Sequence, residues 1–186
     1  MRPELIVPGP RWARAATDVV AVIGVLSLAL AFWWGAVVVA LFALVLLGLT
    51  VPRVAGLPGS FQAVGGAMLV FAAWAATLGW YEAVPALDLL VHAAVNGQLA
   101  VLLVVLLLRA GALPAGASRT GTVLVTVGLG ALLGVVWEAG EWFGHSVLDD
   151  GIVVGYDDTM GDLLAGIVGA GVGSVLLARH RGGGDV

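Results

Sequence analysis

Polar residues are confined to short intervals of this chain, and between them the sequence stays apolar for sixteen to twenty-three residues at a time: 17–34, 36–51, 60–80, 86–108, 122–143 and 159–178. Runs of that length match the roughly 20 residues a helix needs to cross a ~30 Å hydrocarbon core. Unpaired backbone groups in lipid exclude open strands, so the runs are expected to be helices. The expected fold is a single all-α polytopic membrane domain over residues 1–186 with six spans. The first two runs are nearly continuous over 17–51, and one straight helix of that length would overshoot the bilayer at ~1.5 Å per residue. A tight hairpin is therefore expected near Trp33-Trp34-Gly35, where paired tryptophans suit the interfacial aromatic belt. A single span there would also put Arg53 opposite Arg14.

Composition agrees. The chain is 61% hydrophobic and 11% charged with a mean hydropathy of +1.08, outside the range of soluble domains. The basic N-terminal stretch followed by an apolar run resembles a signal peptide, but that run is too long and leads straight into another, so an uncleaved first span is expected. With no cysteine, neither disulfides nor thiolate metal sites contribute. No Walker loop, heptad repeat or soluble domain is evident, and 52–59 and 111–120 have ordinary turn compositions.

Charge gives the spans a direction. All eight cations are arginines (Arg2, Arg11, Arg14, Arg53, Arg109, Arg119, Arg179 and Arg181), and they fall in the tails or in two of the connections. Nine acids (Glu82, Asp88, Glu138, Glu141, Asp149, Asp150, Asp157, Asp158 and Asp162) lie in or beside the other connections. The positive-inside tendency then places both termini and the arginine face in the cytoplasm and the acidic face outside. Adding Glu4, Asp18 and Asp185 to the arginine side gives +5 inside against −9 outside, in keeping with the formal −4. A basic inner face suits anionic lipid heads better than nucleic acid. Asp18 is read as an anion at a helix N-terminus, and His180, between arginines in the tail, as exposed.

Much of the glycine, 28 residues in all, sits inside the last two spans. Gly130 and Gly134 in the fifth, and Ala165, Gly169 and Gly173 in the sixth, repeat every four residues, a spacing that lets helix backbones approach closely. Spans five and six are expected to touch. The same stripes also suit a homo-oligomeric contact.

Three spans carry ionisable residues at their outer ends, where charge needs pairing, hydration or a function. Asp88, His92 and Asn96 repeat every four residues and line one face of the fourth span. In the fifth, WEAGEWFGH places Glu138, Glu141 and His145 within an arc of about 60°. Asp158 and Asp162 repeat the four-residue spacing in the sixth. Glu138 lies about 24 Å from Thr122 along the helix, still within a ~30 Å core. Trp137 and Trp142 flank the glutamates at the outer interface.

Imidazoles and carboxylates that converge without lysine or arginine call for another source of positive charge. A divalent cation held by His92, Glu138, Glu141, His145 and Asp162 supplies it, and thiolate-free ligands of this kind accept zinc, iron or manganese. Glu141 with His145 and Asp88 with His92 form pairs one helical turn apart. Two plainer readings stand beside it: the polar groups hydrogen-bond one another and pin three helices, or share protons with some carboxylates neutral through burial. The loop acids Asp149, Asp150 and Asp157 read as solvated.

At these residues the chain resembles a known family. Asp88-x-x-x-His92, WEAGEW at 137–142, and Tyr156-Asp157-Asp158-Thr159-x-x-Asp162-Leu163 followed by Gly169-Ala170 resemble the YjdF-like bacterial inner-membrane proteins, a family of unknown function, and more distantly the VanZ-like proteins associated with glycopeptide resistance. The likeness spans about residues 50 to 178. Two positions depart from that pattern: Ala165, where asparagine is frequent, and Asn96-Gly97, where glycine usually follows the motif histidine. The resemblance implies a multi-pass inner-membrane location and a site, but no reaction.

Function is therefore read from the residues. The leading expectation is a small membrane hydrolase open to the outer leaflet, acting on a lipid-borne substrate. Glu138, Glu141 and Asp88 supply its catalytic carboxylates, and Asn96, Trp137, Trp142 and Asp158 contact the substrate. A proton- or ion-coupled carrier is the main rival, although carriers place their sites near the midplane and these acids gather at one end. A non-catalytic scaffold or accessory subunit is the third.

Overall fold

A computed structural model describes residues 7–114 and 116–182, with side chains through Arg179. The tail positions Arg2, Glu4, His180, Arg181 and Asp185 carry charge assignments that lie outside the described side chains. Among the described residues seven α-helices follow one another: α1 (Arg11–Ala31), α2 (Ala36–Val54), α3 (Gly59–Thr77), the short α4 (Trp80–Ala83), α5 (Leu87–Arg109), α6 (Arg119–Phe143) and α7 (Tyr156–Gly182). A five-residue π turn, Gly144–Leu148, extends α6. Among the described residues there is no strand. Among the described residues six helices are long and apolar enough to cross a membrane, α4 being the exception, so a helix stands at each of the six expected spans. The chain divides into two compact units, Met1–Pro85 and Ala86–Val186.

In the first unit α1 and α3 run parallel with α2 antiparallel to both. Thr17 Oγ1 donates to the Gly59 carbonyl at 3.0 Å and Trp74 Nε1 to Ser27 Oγ at 2.9 Å, pairing early with early and late with late. Arg53, near the end of α2, meets Asp18 near the start of α1 at 2.8 Å. The core is Ala31, Phe42, Val45, Val70 and Ala73, closed by Trp74, whose ring packs on Phe42 at 5.0 Å and on Trp34 at 5.5 Å. The expected hairpin is there: residues 32–34 turn, and Gly35 enters α2 with φ 100°, a left-handed conformation that only glycine adopts without strain. Two readings are corrected. Helix α1 begins at Arg11, well before residue 17, so Asp18 lies two turns inside it and answers Arg53, not the helix N-terminus. Helix α2 continues through Pro52 to Val54, taking the start of the expected 52–59 loop.

The second unit repeats the succession: α5 and α7 parallel, α6 antiparallel. Leu89 faces Gly161, Gly97 faces Gly169 and Val101 faces Gly173, whereas Gly134 meets Leu163 and Gly130 meets Ala170. Helix α5 stops in a Schellman turn. The amide of Ala112 donates to the Leu107 carbonyl at 2.9 Å and that of Gly111, with φ 72°, to Leu108 at 3.1 Å. Ser118 opens α6 by accepting from the Gly121 amide at 3.1 Å.

Small residues set the spacing of these three helices. The buried positions of α6 are Thr122, Thr126, Gly130, Gly134 and Glu138, and those along α7 include Asp162, Gly166, Ala170, Ser174 and Ala178. Each stripe repeats every four residues, small along its length and carboxylate at one end. Spans five and six do touch, as expected, with Gly130 against Ala170. Gly169 and Gly173, however, face α5: Gly169 packs on the backbone of Ala93 and Gly97, and Gly173 on Gly97 and Val101. Their close approach is to the fourth span, because the stripe that turns Asp162, Gly166 and Ala170 inward carries Gly169 around to the neighbouring side.

Candidate metal centre

The carboxylate ends of the stripes meet. Asp88 stands in the first turn of α5 and His92 one turn on, so helical spacing alone stacks them. Asp162 reaches the same point from α7, positioned by the tight α5–α7 seam below it. His92 Nε2 lies 3.4 Å from Asp88 Oδ1 and 3.8 Å from Asp162 Oδ2. One ligand atom from each of Asp88, His92 and Asp162 falls within 4.8 Å of the other two. Asp162 is 3% exposed; Asp88 and His92 are half-buried.

Those separations carry chemical information. A charge-assisted hydrogen bond between imidazole and carboxylate closes to about 2.7–2.9 Å, and both distances here are longer. Ligands held ~2.1 Å from a tetrahedral ion stand ~3.4 Å apart. One nitrogen and two carboxylate oxygens at this spacing could hold one metal ion.

Glu138 completes the polar group from α6. It is 9% exposed, and its Oε1 is buried without a hydrogen-bond partner. The hydroxyl of Thr159 is within bonding reach of the same carboxyl, and His92, Asp158 and Asp88 act on it electrostatically. Thr159 was not among the expected site residues. Its place three residues before Asp162 on α7 is the signal that puts it on a neighbouring face.

The remaining expected residues are placed as follows. Glu141 is half-buried, held by a hydrogen bond from Trp137, and feels Glu138, Asp88 and Asp162. His145 sits in the π turn with Nδ1 2.7 Å from the Ile152 carbonyl. Neither belongs, with Glu138, to the three-residue set that can share one ion. The switch from α to π geometry after Phe143 alters the one-turn relation between Glu141 and His145. Asn96 is buried beneath His92, its amide donating to the Gly130 carbonyl at 2.9 Å, in a notch walled by Gly134 and Gly166. Gly166 too was missed, although it lies four residues after Asp162. Asp158 is exposed in the first turn of α7, and Trp137 and Trp142 are 41% and 61% exposed.

Comparison with known proteins agrees with this architecture. A family described as predicted membrane protein (DUF2238) matches residues 11–183. The match is consistent with the YjdF-like resemblance and does not extend to VanZ-like proteins. Neither a curated protein nor a solved structure matches the chain.

Proposed function

This chain belongs to the DUF2238 family of predicted membrane proteins, and from that premise we propose that its second unit is a metal-dependent hydrolase acting on a lipid-borne substrate. Asp88, His92 and Asp162 hold one divalent cation of the zinc, iron or manganese class. The reading rests on a single observation: a histidine nitrogen and two carboxylate oxygens from two helices, within 4.8 Å of one another. Such an ion supplies Lewis acidity. Glu138, buried with one oxygen unengaged, accepts the proton of the attacking water, and Thr159 orients its carboxyl. Glu141 and His145 stand further out and shape the approach, with Asp158, Trp137 and Trp142 at the mouth. The same reading puts the chain in a bacterial cytoplasmic membrane with both termini inside, so the site opens to the outer leaflet.

Elemental analysis tests the centre. Detergent-purified protein, exposed separately to zinc, manganese and iron(II) and then dialysed, is expected to keep about one ion per chain with at least one of them. His92→Ala and Asp162→Asn should lose that ion while eluting from a sizing column as the parent does. Wild-type protein that emerges metal-free from all three treatments removes the proposal.

A further inference from the structure

Beneath the polar group the three long helices of the second unit close on one side chain. Asn96 lies four residues after His92 on α5, Gly134 four before Glu138 on α6, and Gly166 four after Asp162 on α7, so each helix places one of them about a turn further in. A Cβ added to Gly134 or Gly166 would meet the Asn96 carboxamide. That side chain is 8% exposed and donates to the Gly130 carbonyl of α6 at 2.9 Å. We propose that Asn96 is the positioning residue for Glu138. Its hydrogen bond fixes the axial register of α6 against the α5–α7 pair, and so sets where the Glu138 carboxyl stands relative to Asp88, His92 and Asp162. The register follows from packing and hydrogen bonding; its consequence for catalysis rests on the hydrolase reading above.

Helix α6 needs such a device because its inward stripe is smooth. Between Thr126 and Glu138 its buried positions are Gly130 and Gly134, which offer no side chain to interlock with a neighbour. Glycine permits close approach but leaves sliding along the axis unopposed, and a slip of one turn carries Glu138 ~5.4 Å from its place. Ala170 and Leu163 lie against these glycines, in apolar contacts that have no direction. The buried hydroxyls of Thr126 and Ser174 bond back to the Thr122 and Gly171 carbonyls of their own helices. The Asn96 amide crosses from one helix to another. Fixing register is the best-attested use of a buried polar residue between helices, and a carboxamide without a partner at this depth would be costly.

The α5–α7 pair is held differently. Ala93 and Gly97 lie against Gly169, Gly97 and Val101 against Gly173, and Leu89 against Gly161. Asp88, His92 and Asp162 ride on that seam, whose contacts do not pass through Asn96. Loss of the amide is therefore expected to move one helix of the site and leave the other two in place.

The chain has no cysteine, so introduced pairs carry spin labels without background. Leu90, Val136 and Leu164 are exposed on α5, α6 and α7, each two residues from a carboxylate of the polar group. Pulsed electron resonance on the full chain in detergent, without added metal, reads two distances: Val136→Cys with Leu164→Cys across α6 and α7, and Leu90→Cys with Leu164→Cys across α5 and α7. In Asn96→Ala the first distribution is expected to shift or split by up to ~5.4 Å, one helical turn, while the second keeps its parent position and width. Asn96→Leu, which fills the notch without a donor, should do the same and separates the hydrogen bond from the volume; either variant that assembles answers the question. An unchanged α6–α7 distance overturns the proposal. So does an equal change in both pairs, which makes Asn96 a general support of the unit. Metal retention, measured on samples without labels, addresses the reading beneath. Asn96→Ala is expected to keep whatever ion the parent keeps, and loss from the variant alone overturns the division between seam and α6. A parent that holds no ion fails the hydrolase reading instead, and the distances still decide the register.

Discussion

On the proposed reading Glu138 and His92 have different duties, and substitutions separate them. Removing the His92 imidazole takes away the nitrogen that both aspartates face. Glu138 stands outside the three-residue set, so Glu138→Gln is expected to bind metal like the parent but to hydrolyse roughly 10²–10⁴-fold more slowly, the usual contribution of a positioned proton acceptor. Paired metal content and turnover check this, and loss of the ion in Glu138→Gln would make it a ligand instead. The sequence exposed Asp88, His92 and Asp162 because four-residue spacing stacks side chains on one helix face. It could not show that Asn96 lies in a notch formed by glycines of two other helices, because depth is a property of neighbours. Nor could it separate His145 from the three, since the π turn that carries it has no sequence signature.

Among elements, the α5–α7 seam fixes where Asp162 arrives. Gly169 lies against the Ala93 and Gly97 backbone, where a methyl group meets main-chain atoms that cannot rotate away. Gly169→Ala is therefore expected to destabilise the unit by about 1–3 kcal/mol, the typical cost of overpacking, and to weaken metal retention by displacing Asp162 from His92. Gly171, two residues on, has open space around its Cα, and Gly171→Ala should stay within ~0.5 kcal/mol of the parent. Unfolding in detergent by SDS titration checks the pair; equal stabilities would mean the seam does not set the helix spacing. The small-residue spacing of the sixth span was legible in the sequence, but its partner was not. Periodicity tells which residues share a face, not which helix that face meets. Boundaries slipped for a related reason: α1 starts at Arg11 because polar residues such as Arg14 and Asp18 are accommodated in a helix whose exposed positions they occupy.

At the scale of the whole molecule the remaining question is direction. In the second unit α5 ends at Arg109, α6 begins at Arg119 and α7 carries Arg179 near its end, so antiparallel succession gathers these cations at one end and the carboxylates at the other. The potential of anionic lipid and the insertion bias both favour the arginine end inside. The chain has no cysteine, so single cysteines report topology without background. Ala112→Cys, in the turn between α5 and α6, and Ser146→Cys, in the π turn, are both exposed positions at opposite ends of the unit. In intact cells a membrane-impermeant maleimide should label Ser146→Cys and spare Ala112→Cys, and permeabilisation should expose the second. The reverse pattern would turn the carboxylate end toward the cytoplasm. The centre would keep its geometry, but its lipid substrate would then come from the inner leaflet, against the charge bias from which the outward orientation is argued.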